Sequence, residues 1–303
     1  MNPIENPLHK KRRKTAPEDR VSLREKIAFG IGSVPDYAGN TALNQLLSPI
    51  YNAILHVNPA LLGTAMAAAR FWDAFTDPVM GSISDNTTSR FGKRTPYMFV
   101  GSILMGISFA TVWMFGRGWS ESAYFTYFVV TGLFFYTSST IFSVPWGAVG
   151  LGLTTDYHER TRVQIYRTFF ASMMALCIPW LINITQWDVF SDTVEGVRVV
   201  GIGAGLLFII TGLASTLLIS EKKLIKDIKA SKKIPLLPAV KATFHNKPYI
   251  ILCVLFVLIS VGISLVNHLG FYINTYYVFE GDLAAASVYE GLRGTTYGVF
   301  KFL

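Results

Sequence analysis

Two aspartates four residues apart occur in the otherwise largely apolar segment RFWDAFTDPVMGSISD. Residues at this spacing share one face of a helix, so the carboxylates of Asp73 and Asp77 point the same way. If that helix crosses a bilayer, each charge costs roughly 2.5–3.5 kcal/mol on insertion scales. Helix packing does not require two such charges, so we interpret the pair as the centre of the protein's chemistry.

Other polar side chains recur at helical spacing in the neighbouring apolar segments. Intramembrane polar groups face the bundle interior or a water-filled cavity, so these segments predict one shared polar cavity. The residues are Asp36, Tyr37, Asn40 and Asn44 in the first segment, Arg70 and Thr76 in the second, Tyr136, Thr140 and Ser143 in the fourth, and Arg167 at the start of the fifth.

Two carboxylates with nearby hydroxyls supply the hard oxygen ligands that a small cation such as Na⁺ prefers. The pair could equally share a proton, because two neighbouring carboxylates do not both stay charged at low cost in an apolar site. A third interpretation is an interior ion pair between Arg70 and one aspartate that only fixes packing. Donors, acceptors and aromatic faces suited to a polyhydroxylated ligand come from Asp36, Tyr37, Asn40, Ser143 and Trp146.

The composition indicates that these residues belong to a membrane protein. Apolar residues make up 51% of the chain and charged residues 15%, against about 25% charged in soluble domains. About 20 helical residues span a bilayer, and the apolar segments have that length. The sequence therefore predicts an all-α polytopic protein with spans near 28–54, 60–84, 97–117, 122–151, 164–186, 199–220 and 248–279, and an eighth from 283. Cys177 and Cys253 fall within spans, and we expect buried structural thiols.

Lys and Arg concentrate before the first span and in every second loop, which is typical of the cytoplasmic side. The N-terminus is therefore predicted to be cytoplasmic. The net charge of +8 is then a topology signal, and the KKRRK run an anchor to anionic lipid, with no nucleic-acid partner. The sequence has no metalloenzyme spacing, nucleophile motif or phosphate-binding loop, so we expect no enzyme and no cofactor beyond a coupling cation.

The lysine-rich stretch 221–247 separates two sets of spans. Six spans, a basic connection and further spans form the layout of a transporter with two repeated halves. We therefore divide the chain into a basic cytoplasmic arm (1–27), a six-helix bundle (28–220), a cytoplasmic connection (221–247) and the start of a second bundle (248–303). A two-half transporter needs about four more spans, so we expect a truncated chain.

The segment RFWDAFTDPVMGSISDNTTSRFGKRTPY matches the pattern RxWDAxxDPxMGxxxDxTxSRxGKxxP. With this match the chain resembles the glycoside–pentoside–hexuronide:cation symporter family, the melibiose permease group of the major facilitator superfamily. FGIGSVPDYAGN and VPWGAVGLGLTTDYHERTR resemble it as well, so the likeness covers essentially the whole chain. It implies a major facilitator-type bundle whose N-terminal six-helix half is complete and whose C-terminal half is only begun.

The resemblance implies roles for individual residues. The cation ligands match Asp73, Asp77 and Thr140, with Thr76 in place of a frequent Asn, and the sugar-binding aspartate of the first helix matches Asp36. Gate or conformational roles fall on Arg70, Asp85 and Arg94.

Three positions depart from the family. Its fourth-helix aspartate aligns with Ser143 and its stacking tryptophan with Gly147, whereas Trp146 comes one residue early, about 100° away around a helix. The fifth-helix arginine matches Arg167 by the YR pattern, but a gapless alignment through FFAS places Thr168 there.

These observations predict a monomer that couples Na⁺ or H⁺ to the import of a sugar or glycoside by alternating access. The expected location is the plasma membrane, typically a bacterial inner membrane, with lipid as the surrounding partner. Two alternatives stay open. One is a transporter of the same fold for a non-sugar, lipid-like substrate, and the other is a transport-inactive sensor or scaffold.

Overall fold

The structure, a computed structural model, describes residues 19–219 and 246–302, and within these ranges every regular element is helical. Most of the predicted arm and most of the predicted connection lie outside the described residues. The helices are α1 Leu23–Ser33, α2 Gly39–Leu47, α3 Pro59–Asn86, α4 Thr95–Val112, α5 Glu121–Gly152, α6 Tyr157–Cys177, α7 Leu181–Ile184, α8 Thr193–Leu218, α9 Lys247–Tyr272 and α10 Leu283–Phe302. The all-α prediction is confirmed.

The helices begin where the sequence offers capping side chains. Ser22 and Glu25 form a reciprocal capping box at the start of α1. Asp156 accepts a hydrogen bond from the Glu159 amide and starts α6, and Asp192 does the same for Glu195 and α8. The fifth and sixth spans therefore begin about two turns earlier than their hydropathy predicts, because the first turns of both helices are polar.

The first span is continuous but irregular. π-helical turns at Val34–Ala38 and Ser48–Ile54 separate α1 from α2 and end the span. Each of these turns contains a proline near its start, Pro35 and Pro49. Because proline has no amide hydrogen, it interrupts the α-helical ladder, and the wider turn accommodates the gap. One such turn carries Asp36.

The helices pack as a bundle around the first span. α4 packs against α5 and α8, α3 against α5, and α1 against α6 and α8. The α4–α8 crossing is close because a Cβ atom on either Gly106 or Gly205 would collide with the carbonyl oxygen of the other. α10 packs against α6 and against the short 3₁₀ turn Ile178–Trp180 that follows it.

The fold is that of a multi-pass membrane protein. Among the described residues, four helices are long and apolar enough to cross a membrane: Thr95–Val112, Glu121–Gly152, Tyr157–Ile184 and Thr193–Leu218. α3 has the length but also carries charged residues that lower its mean hydropathy. The expectation of buried thiols was wrong, since Cys177 and Cys253 both lie on exposed faces of their helices.

Candidate functional site

The aspartate pair faces α5 from the middle of α3. The Thr140 hydroxyl donates a hydrogen bond to Asp77 Oδ1 at 2.8 Å and lies 3.5 Å from the Thr76 hydroxyl. The Thr76 hydroxyl also donates to the Trp72 carbonyl oxygen at 3.1 Å. Three of the four predicted cation ligands are therefore in mutual contact, and they present oxygen atoms from two helices.

Asp73, the fourth, has a different neighbour. Its carboxylate lies 3.7 Å from an Arg70 guanidinium nitrogen, a loose ion pair in which the Arg70 side chain stays 60% exposed. The guanidinium also lies 5.9 Å from the Tyr136 ring centroid. Because this pair is loose and open, the Asp73 carboxylate is accessible to a small cation on the cavity side.

These side chains line one cavity of about 280 Å³ between the first span, α3 and α5. Among the described residues of its wall, Val144 is the single aliphatic one. The lining comprises Asp36, Asn40, Arg70, Asp73, Asp77, Tyr136, Ser139, Thr140, Ser143 and Val144. Three of the four segments predicted to share a polar cavity line it, and Arg70 belongs to it, whereas Asn44, Thr76 and Arg167 are not part of its lining.

Asp36 enters the cavity from the π-helical turn of the first span. Its carboxylate accepts a hydrogen bond from Arg167 Nη2 at 3.3 Å, and Ser143 lies beside it on α5. Four residues later, the Asn40 amide donates to the Ser139 hydroxyl at 3.4 Å. The polar stripe of the first span therefore faces α5, as its spacing predicts.

Trp146 lies behind the Asp36–Arg167 pair and is not part of the cavity wall. Its ring is 1% exposed and stacks on Phe29 with centroids 4.6 Å apart and planes 18° apart. The Arg167 guanidinium lies 5.0 Å from the Trp146 ring. Trp146 therefore packs against the Arg167 guanidinium, and other protein side chains cover the faces of the Trp146 ring.

Tyr37 also lies outside the cavity lining. Adjacent residues project about 100° apart around a helix, so Tyr37 leaves the face that Asp36 occupies.

Sequence reasoning placed Tyr136 in the shared cavity without a binding role, and it missed Ser139. Ser139 was detectable in principle, because Tyr136, Ser139, Thr140 and Ser143 follow the i, i+3, i+4, i+7 pattern of one helix face. Ser139 was missed because it lies in the run TSST, in which every residue carries a hydroxyl and none stands out. Only packing shows that α3 and the first span both converge on this face.

Two of the three predicted gate residues, Asp85 and Arg94, meet at the C-terminal end of α3. Arg94 donates from Nε and Nη2 to Asp85 Oδ1 at 3.1 and 2.6 Å. Arg94 Nη1 donates to the Ala148 carbonyl oxygen at 3.0 Å. This arginine ties the end of α3 to the end of α5. The third predicted gate residue, Arg70, lies fifteen residues before Asp85 on α3, which is roughly 22 Å along the helix axis.

Comparison with known proteins places these features in a family. Residues 28–302 match the family described as MFS/sugar transport protein. The "Uncharacterized symporter YnaJ" of Bacillus subtilis is 28% identical over 274 residues, which cover 87% of this chain and 57% of that protein. The chain thus spans little more than half the length of this relative.

Two further relatives match over about half of the chain and carry more specific names. The mouse "Sodium-dependent lysophosphatidylcholine symporter 1" is 27% identical over 154 residues, 50% of this chain and 29% of that protein. The "Glucuronide carrier protein homolog" of Escherichia coli is 25% identical over 165 residues, 54% of this chain and 36% of that protein. Because the family match extends over nearly all described residues, this chain belongs to the MFS/sugar transport protein family.

Proposed function

We propose that the protein is a cation-coupled symporter that moves a small hydroxylated substrate, a sugar or glycoside, across the plasma membrane. The observation that carries the proposal is the gathering of Asp73, Asp77 and Thr140 in the wall of one polar cavity inside a multi-pass bundle, with Thr76 in contact with Thr140. Several relatives are named symporters, which agrees with coupled transport. The basic loops favour a cytoplasmic N-terminus.

The coupling cation, Na⁺ or H⁺, binds between Asp73 and Asp77 in this proposal. Binding offsets their negative charge, and the substrate then enters a site with less unbalanced charge. By linkage, the substrate raises the affinity for the cation by the same factor. A monovalent cation that moves down about 100 mV contributes roughly 2.3 kcal/mol, which supports accumulation of the substrate.

Substrate contacts fall to Asp36, Asn40, Ser143 and Arg167 in this proposal. Asp36 and Arg167 form an open pair, with side chains 22% and 43% exposed, so their remaining donor and acceptor capacity can reach a ligand. Sugar hydroxyls both donate and accept hydrogen bonds, and such a lining suits them. Trp146 contributes indirectly by supporting Arg167.

A lipid-like substrate is the second candidate, because one relative is named for lysophosphatidylcholine. An acyl chain needs an apolar lining, whereas the wall of this cavity is polar in the part of the chain that the structure describes. The cavity therefore favours the hydroxylated substrate.

The test uses the natural gene product in membrane vesicles with an imposed Na⁺ or proton gradient. Uptake of labelled methyl glycosides should require one of the gradients, and Asp73→Asn or Asp77→Asn should abolish gradient-driven accumulation. Asp188→Asn is the matched control, because Asp188 lies exposed in the loop before α8. Unchanged coupled uptake in either site variant would refute the assignment, and gradient-driven uptake of lysophosphatidylcholine alone would favour the lipid substrate.

A further inference from the structure

Arg70 is the single cationic side chain among the described residues that line the cavity. It lies on the same face of α3 as Asp73 and Asp77, because the three residues follow the i, i+3, i+7 spacing of one helix face. Asp85 is roughly 22 Å further along the helix axis, so Arg70 takes no part in the tie between Asp85 and Arg94. The positive charge of Arg70 therefore belongs to the cavity, where the proposed function has so far given it no role.

The guanidinium of Arg70 is held only loosely. Its nearest nitrogen is 3.7 Å from Asp73 Oδ2, which is too far for a hydrogen bond, and its Cζ is 5.9 Å from the Tyr136 ring centroid. Arg94, by contrast, donates three hydrogen bonds and is 20% exposed, whereas the Arg70 side chain is 60% exposed. Arginine has five N–H donors, and within the described part of the chain those of Arg70 stay available to a ligand.

The two aspartates of the proposed cation site have different partners. Asp77 accepts a 2.8 Å hydrogen bond from the Thr140 hydroxyl, whereas the ion-pair partner of Asp73 is Arg70. A cation that binds between the two carboxylates approaches the same Asp73 oxygens that attract the guanidinium. Because two positive charges repel each other at this distance, the cation and the guanidinium compete for Asp73. Cation binding therefore displaces Arg70 from Asp73 towards the open cavity.

The size of the cavity brings a bound substrate within reach of the displaced guanidinium. The cavity measures about 280 Å³, which is slightly less than the roughly 300–1,000 Å³ of typical ligand pockets. Asp36 and Asn40 line the same cavity as Arg70, so a sugar ring that fills it meets all three side chains. The planar guanidinium presents its N–H donors as a rigid fork, and this fork can donate to two neighbouring oxygens of a sugar.

We propose that Arg70 is a substrate-binding residue whose guanidinium leaves Asp73 when the coupling cation binds and then donates hydrogen bonds to oxygens of an uncharged sugar. This inference rests on the proposed symport function. The exchange works in both directions, because a sugar that holds Arg70 removes the competitor of the cation from Asp73. Cation and sugar therefore raise each other's affinity by the same factor, as linkage requires.

The charges of the described groups favour an uncharged substrate. Asp36 and Arg167 form a neutral pair. The group of Arg70, Asp73 and Asp77 has one excess negative charge, which one monovalent cation balances. An uncharged glycoside then completes a neutral site, whereas a glucuronide would add an uncompensated negative charge.

The first measurement is the KM for labelled methyl glycoside uptake by the natural gene product in membrane vesicles, driven by whichever gradient, Na⁺ or H⁺, drives the wild type. Arg70→Gln should raise KM by about tenfold, since a hydrogen bond from a charged group is worth that much. Arg70→Lys keeps the charge but loses the fork, and it should raise KM by about threefold. Arg117→Gln is the matched control, because Arg117 is a similarly exposed arginine that pairs with Asp192 away from the cavity, and its KM should stay unchanged.

The second measurement is the concentration of the same cation that half-maximally changes the Tm of the sugar-free protein. In Arg70→Gln this concentration should fall by about fivefold, because the variant lacks the charge that competes for Asp73 across a partly screened pair. In Arg70→Lys it should stay close to the wild-type value. Saturating methyl glycoside should lower it in the wild type and much less in Arg70→Gln. A purely structural ion pair predicts the opposite sign, since loss of Arg70 would then disorder Asp73 and weaken cation binding.

The outcomes are distinguishable. Coupled wild-type uptake with an unchanged KM in both Arg70 variants would overturn the substrate contact alone, and weaker cation binding in Arg70→Gln would overturn the exchange. Stronger competition against the methyl glycoside by p-nitrophenyl glucuronide than by p-nitrophenyl glucoside would overturn the uncharged substrate. If Arg70→Gln does not fold, the KM of Arg70→Lys decides. Absence of coupled uptake of every glycoside by the wild type would overturn the proposed function and this inference with it.

Discussion

The hydroxyl of Thr140 on α5 donates a 2.8 Å hydrogen bond to the carboxylate of Asp77 on α3. One residue earlier on α5, the Ser139 hydroxyl accepts a hydrogen bond from Asn40 of the first span. A single turn of α5 thus touches both the proposed cation ligands and the polar stripe of the first span. Displacement of this turn would change both sites together, and we propose that this shared turn is a physical basis for coupling.

Removal of the Thr140 hydroxyl should weaken cation binding. Thr140→Val keeps the side-chain shape but removes both the donor to Asp77 and a possible cation ligand. We expect the cation concentration that half-maximally raises the Tm of the purified protein to increase by about tenfold. Thr140→Ser should keep most of the affinity, and Thr126→Val, a distant change on the same helix, should have no effect. Equal behaviour of the valine and serine variants would argue against a role for the hydroxyl.

Asp36 and Arg167 should show coupled effects on stability. The pair is partly exposed, so solvent screening reduces its value, and we expect a coupling free energy on the order of 1 kcal/mol. The measurement is a double-mutant cycle with Asp36→Asn and Arg167→Gln, read from unfolding of the detergent-solubilised protein. The double variant should be more stable than the sum of the single effects predicts. Strict additivity would show that the two charges do not interact.

Trp146 should contribute to the stability of the fold as well as to the position of the Arg167 side chain. Its buried ring stacks on Phe29, so Trp146→Ala should lower the free energy of unfolding by about 3–5 kcal/mol. Trp146→Phe keeps an aromatic face under Arg167 and should fold with a smaller loss. Trp187, which is 53% exposed, offers the matched control Trp187→Ala with little expected change in Tm. A Trp146→Ala protein of unchanged Tm would contradict the packing described for this ring.

Arg94 should affect transport rate more than cation affinity. It joins Asp85 at the end of α3 to the Ala148 carbonyl oxygen on α5, far from the cavity. Arg94→Gln removes this tie, so we expect uptake to fall by about tenfold, corresponding to about 1.4 kcal/mol, with unchanged cation-dependent stabilisation. Arg90→Gln is the control in the same loop, because Arg90 stacks on the adjacent Phe91. A parallel loss of cation binding in Arg94→Gln would show a general folding defect.

Much of the site followed from spacing within single helices. The i, i+4 spacing of Asp73 and Asp77 predicts a shared face, and both line the cavity. Helical periodicity also predicted that Asp36 and Asn40 face one way. Prediction was weaker for Tyr37 and Trp146, because proximity in sequence to a polar residue does not place a side chain on the same face.

The amino-acid sequence by itself determined the all-α membrane architecture and the helix that carries the two aspartates, because hydropathy and helical period are local properties of the chain. It also indicated the Asp85 and Arg94 pair through a long motif. Only the tertiary structure decided that Thr140 contacts Asp77 and that the Trp146 ring is buried against Arg167. These relations depend on how the helices rotate and cross. Glycine contacts and π-helical turns set that geometry between segments distant in sequence.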